Sequence, residues 1–98
     1  MVNFSRVENI NNDNLIVYPN PIEKGKKINV RYVSQIDKPG SILSIINIFG
    51  EEVYTKKQNL IKGTNTMSLE PNLLKAGTYI LSIKTATTSL AEKLVVPD

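Results

Sequence analysis

An all-β sandwich of two antiparallel sheets is the fold that this 98-residue sequence predicts, on three observations. Gly25, Gly40, Gly50, Gly63 and Gly77 recur every 10 to 15 residues, which is the spacing of turns between short strands. The stretches between them are rich in Ile, Val, Leu, Thr and Tyr and in places alternate apolar with polar residues, the period of a half-buried strand. With 41% hydrophobic and 21% charged residues, the chain is apolar enough to fold and long enough for one core only.

Seven strands are expected, near residues 14–18, 26–34, 41–48, 51–58, 64–69, 77–85 and 89–96. The first, "NLIVY", runs into "PNP". Proline fixes φ and offers no N–H to a ladder, so Pro19 and Pro21 stop the strand and leave a rigid corner. The second, in "KINVRYV", turns Ile28, Val30 and Tyr32 inward and Asn29 and Arg31 outward. "KPGS" at 38–41 then places Pro and Gly at the two central positions of a type II turn. The third, "SILSIINI", is apolar on both faces, which predicts a central strand whose second face is covered by a loop or a neighbour.

"NIFGEE" supplies Gly50 for the positive φ of a hairpin into the fourth strand. Tyr54 alternates there with charged residues and is a candidate for exposure. "TMSL" turns Met67 and Leu69 inward, and "TYILSIK" does the same with Tyr79, Leu81 and Ile83. "EPNLLKAG" at 70–77 starts with proline and ends with glycine but leaves room for only a turn or two, so a short helical turn or a plain loop is expected. Seven short antiparallel strands in fewer than 100 residues imply an immunoglobulin-like β-sandwich. The disulfide and tryptophan of antibody domains are excluded, since the chain has neither Cys nor Trp. Residues 1–13, with the asparagine-rich "ENINNDN", read as a linker or the remnant of one, with Met1 a candidate expression start, and residues 14–98 as the domain.

Little in the sequence points to chemistry. Without histidine there is no His-based triad, and without cysteine no thiolate nucleophile or ligand. The adjacent carboxylates Glu51 and Glu52 point to opposite faces of a strand and make no acid–base pair. "NNDN" at 11–14 lacks the spaced acids and glycine of a calcium loop, and no phosphate loop joins a strand to a helix. No catalytic residue, metal or cofactor is therefore expected. The formal charge is +3, but the lysines are scattered, with only Lys26–Lys27 and Lys56–Lys57 adjacent, so they read as solvated faces and edge protection and not as a nucleic-acid site. The longest apolar runs are too short to cross a bilayer as a helix. The amino terminus has no apolar segment after a basic start, so it is not a secretory signal peptide.

Four features fall in one order along the chain: "VYPNP", then "IINIFGEEVY", then "LLKAGTYILSI", and "AEKLVV" near the end. In order and spacing they resemble the type A C-terminal sorting domain of the bacterial type IX secretion system, over residues 15–96. The resemblance implies a seven-stranded sandwich at the carboxyl end of a larger exported protein. Such a domain has no catalytic residues of its own. The cargo crosses the inner membrane on a separate signal, the outer-membrane translocon recognises the folded domain, and a sortase-like surface peptidase cuts before the first strand while joining the cargo to lipopolysaccharide. Export through the periplasm to the cell surface or medium follows.

Residue by residue, Pro19, Asn20 and Pro21 match the first feature, Gly50 and Val53 the hairpin, and Gly77 and Tyr79 the start of the penultimate strand. All seven are expected to be structural. Lys93, Leu94, Val95 and Val96 match the terminal segment and are the expected translocon-recognition residues. The family often carries a glycine in the last hairpin; this chain reads "TATTSL" at 85–90, which predicts a longer or differently shaped turn. The chain's beginning, without cargo or export signal, is expected to be that of an excised domain. An open edge strand would allow dimers by strand pairing. The alternatives are an immunoglobulin-like adhesion or spacer module, or a carbohydrate-binding module, which requires a cluster of exposed aromatic side chains.

Overall fold

The computed structural model describes residues 12–98 except Lys24 and Pro71. Seven strands follow one another: β1 (Asn14–Tyr18), β2 (Ile28–Ser34), β3 (Lys38–Ile46), β4 (Glu52–Leu60), β5 (Gly63–Leu69), β6 (Gly77–Lys84) and β7 (Ser89–Val96). They form a three-stranded sheet in the order β1-β2-β5 and a four-stranded sheet in the order β4-β3-β6-β7, with every pairing antiparallel. Compared with the constant-type immunoglobulin arrangement, the fourth strand has changed sheets and pairs with the third.

The core is built by the expected alternation. Leu15 and Val17 on β1, Ile28, Val30 and Tyr32 on β2, and Leu69 on β5 face Leu43, Ile45, Tyr79, Leu81, Ile83 and Leu94 of the other sheet, all buried. Tyr54 is half-buried and packs against this cluster, so its charged neighbours in sequence misrepresent its setting. Its register partner is Ile45, which places the ring on the inner face.

Two further expectations are corrected. β3 is central, but its second face is not covered: Ile42 is 40% exposed. In addition, "KPGS" is not the turn between β2 and β3. The chain reverses at Gln35–Asp37, and Lys38 already pairs with Leu60. Pro39 and Gly40 form a bulge, because Lys38 lies opposite Leu60 while Ser41 lies opposite Gln58. Gly40 adopts φ +71°, a conformation that a bulge uses as readily as a turn. The missing ladder is replaced by Asn59 Oδ1, which accepts from Gly40 N at 2.8 Å, and by Ser41 Oγ, which donates to Lys38 O at 2.8 Å. The described residues of the connection from β5 to β6, Glu70 and 72–76, form a loop, held in part by Leu73 N donating to Glu70 O at 3.1 Å.

Candidate functional site

Antiparallel registers bring the motif-bearing segments to one end of the sandwich. Ile46 pairs with Ile80, Tyr79 with Leu94 and Gly77 with Val96. The β3–β4 hairpin, the start of β6 and the end of β7 therefore lie side by side. The β1–β2 connection meets them from the other sheet. The Tyr18–Pro19 and Asn20–Pro21 bonds are both cis, and Asn20 projects onto the free edge of β7. There its Nδ2 donates to Lys93 O at 2.7 Å and its Oδ1 accepts from Val95 N at 3.4 Å. The backbone continues the pairing, with Ile22 N donating to Val95 O at 2.9 Å. A carboxamide has the donor and acceptor of a peptide group, so Asn20 serves as one link of strand on an edge that would otherwise be open.

The same end is pinned at two more places. Tyr79, buried at the start of β6, donates its hydroxyl to Lys75 O at 2.7 Å, the local loop-back of a tyrosine corner. Its ring lies over Gly77, where a Cβ would stand 3.6 Å from Cε1. In the β3–β4 hairpin Gly50 has φ +82°, which costs an L-residue about 1–2 kcal/mol. Asn47 organises the rest: its Oδ1 accepts from Phe49 N and Glu51 N, and its Nδ2 donates to Glu51 Oε1. Val53, 44% exposed, borders an open hollow of about 310 Å³ with Asn47, Leu73, Leu74, Lys75 and Tyr79.

The four terminal residues have different settings. Lys93 is exposed on the outer face beside Ile80, Val95 is half-buried on that same face, Val96 packs against the core, and Leu94 is fully buried. The order and spacing of these segments along the chain are those of one known family. The sequence pattern of the secretion system C-terminal sorting domain, the Por secretion tail, matches residues 16–97. The chain belongs to this family. No curated protein matches it. Membership makes the chain a non-catalytic signal domain of a protein exported by the type IX system to the outer surface or out of the cell.

Sequence reasoning missed a polar cluster at the opposite end of this sorting domain. Asp13, within the asparagine-rich stretch, has a fully buried side chain that is ion-paired to the largely buried Lys38. It also accepts from Tyr32 OH at 2.6 Å and from Gln35 N at 2.9 Å. Burial acts to raise the Asp13 pKa, but the bonds from Lys38, Tyr32 and Gln35 and the ammonium charge outweigh it and hold the carboxyl below its ordinary value. Burial, together with the bond to Asp13, pushes the Tyr32 phenol up to about 12. The clue in sequence was the apolar setting of Tyr32, since a buried phenol requires a partner.

No group of His, Cys, Asp and Glu among the described residues is placed to hold a metal ion. No helix there is long and apolar enough to cross a membrane. The exposed aromatic side chains among them are Tyr18, the last residue of β1 in the three-stranded sheet, and Phe49, in the turn of the β3–β4 hairpin.

Proposed function

We propose that the translocon reads this sorting domain at the end where the Pro-Asn-Pro corner meets β7, with Lys93, Val95 and Val96 as contacts and Leu94 as their internal anchor. The observation that carries this reading is the bond pair from Asn20 to Lys93 and Val95, which fixes the backbone of the terminal segment. A segment already ordered in its binding shape gives up less entropy on recognition. After passage through the periplasm and across the outer membrane, a sortase-like peptidase cuts in the linker ahead of Asp13 and joins the cargo to lipopolysaccharide.

The test is a fluorescent protein with an export signal at its amino end and residues 1–98 at its carboxyl end, expressed in a bacterium with a working type IX translocon. Lys93→Ala and Val95→Ser variants keep Leu94 in the core, and their melting temperatures are checked beforehand. The expected result is the parent fusion at the surface or in the medium and the folded variants retained in the periplasm. Equal export of all three fusions would remove the terminal segment from the recognition site. Retention of the parent itself would count against sorting activity in that host.

A further inference from the structure

The two sheets have four outer edges, β1 and β5 on one and β4 and β7 on the other. Three of them are closed or guarded. β7 is completed by Asn20 and Ile22, and β1, only five residues long, ends at the proline corner and lies beside β7. β4 shifts register against β3 at Val53 and carries Lys56 and Lys57, devices that keep an edge from pairing. β5 has none of them: its seven residues hold no charge, no proline and no register shift against β2. Beside it an open hollow of about 290 Å³ lies between Thr66, Met67, Ser68 and Leu69 on one side and Lys56 and Gln58 of β4 on the other, and no other described strand pairs there.

The segment from Lys62 to Glu70 is complementary to itself. Two copies laid antiparallel about Thr66 set Gly63 opposite Leu69, Thr64 opposite Ser68, Asn65 opposite Met67 and Thr66 opposite its own copy. Each pair joins residues of one face, since Thr64, Thr66 and Ser68 are exposed on the outer side while Asn65 and Met67 are half-buried on the inner. Opposed residues differ by an even number of positions, so amide groups that point away from β2 meet groups that do the same. The same register places the exposed Lys62 across from the exposed Glu70 of the other copy, at both ends of the pair. A slip that preserves the faces loses both ion pairs, because Lys62 then meets Ser68 or Asn72.

We propose that β5 is a self-association edge, which pairs antiparallel with β5 of a second copy of this chain to make one continuous sheet in the order β1-β2-β5-β5-β2-β1. Main-chain hydrogen bonds supply the affinity, cross-strand hydroxyl pairs at Thr64, Thr66 and Ser68 add to it, and Lys62 with Glu70 fixes the register. One strand pair is a small interface, so the association is weak and answers to local concentration. The two-fold axis lies on the side of the sandwich away from β1 and β7. The proline corner and the terminal segment therefore stay accessible in the pair, and the inference stands apart from the recognition proposed above.

The measurement is sedimentation equilibrium of the 98-residue chain, from about 10 µM to about 1 mM to suit a small interface. A monomer–dimer equilibrium is expected. Lys62→Glu and Glu70→Lys each set like charges against one another at both ends of the pair and are expected to weaken it about tenfold. The double variant, with the charges exchanged, restores it. Thr66→Cys, in a chain without another cysteine, is expected to cross-link under copper phenanthroline, since directly opposed Cα atoms stand about 4.5–5.5 Å apart. Thr64→Cys, whose two copies stand about 13 Å apart along the strands, is expected to remain uncross-linked. Circular dichroism and melting confirm the fold of each variant. Monomer at every concentration would overturn self-association and leave the edge to a strand of another protein. A dimer indifferent to both charge reversals, or cross-linked as well through Thr64→Cys as through Thr66→Cys, would place the contact elsewhere and overturn the assignment to β5.

Discussion

Asn20 is a side chain that does what a backbone usually does. Its two bonds reach residues 73 and 75 positions further along the chain, so Asn20→Ala removes both side-chain ties of the corner to β7, leaving the Ile22 N to Val95 O bond, without touching the core. A net loss of about 1 kcal/mol is expected, with faster hydrogen exchange at Val95 N as the local signature. Asp13 makes a second residue-scale case, governed by burial. Lys38→Met leaves its carboxylate buried without a cation and is expected to cost about 3–5 kcal/mol, measured by denaturant unfolding. The pH dependence has a definite sign on each side. Because the Asp13 pKa is depressed, its contribution is complete above the ordinary carboxyl value of about 4 and is lost as pH falls through the lower folded value. Because the Tyr32 pKa is raised to about 12, its contribution is complete below about 10 and is lost as pH rises from there toward 12. Melting curves of the parent, Asp13→Asn and Tyr32→Phe across both ranges check this: the acid limb flattens in the first variant and the alkaline limb in the second.

At the scale of elements, the last hairpin shows how a turn is made without glycine. Between β6 and β7 the four residues Thr85 to Thr88 are closed by Thr85 N donating to Thr88 O at 2.8 Å. Thr85 Oγ1 accepts from Thr88 N at 2.9 Å and from Thr87 N at 3.2 Å, and lies 2.9 Å from Thr88 Oγ1. Hydroxyls take the place of a left-handed residue. Thr85→Val keeps the shape and removes the acceptor, so two N–H groups lose their partner; a loss of about 1–2 kcal/mol in chemical denaturation is expected. The seven strands were legible in the sequence because glycines and prolines punctuate them and because some inner faces alternate cleanly, as Ile28, Val30 and Tyr32 do on β2. Positions with two physical uses were not. Pro39 and Gly40 suit a turn or a bulge equally well, and only the partner strand decides between them. The apolar outer face of β3 signalled a cover that the fold does not provide. In the site, Gly50 and Tyr79 followed from local rules, whereas the pairing of Asn20 with Lys93 and Val95 depends on how two distant segments meet, which no local pattern records.

The whole molecule places its polar lock and its motif-bearing segments at opposite ends. Asp13, Lys38 and Tyr32 fasten the chain where it enters β1, while the corner, the β3–β4 hairpin and the end of β7 gather at the far end. On the recognition proposed above, a domain built this way is pulled by a cargo at one end and read at the other. The expected consequence is that Lys38→Met, which weakens the first end, lowers export of a fused cargo through loss of folded protein, whereas Lys93→Ala lowers export with the melting temperature unchanged. Secretion assays paired with melting curves separate the two. The bond pair from Asn20 also ties function to the order of synthesis. Ribosomes make β7 after every other strand, and the corner near the start of the domain has nothing to grasp until residues 93 to 95 exist. A chain broken off before then lacks both Leu94 in its core and the edge that Asn20 completes, so on the recognition proposed above only a message translated to this point yields a product with a legible destination.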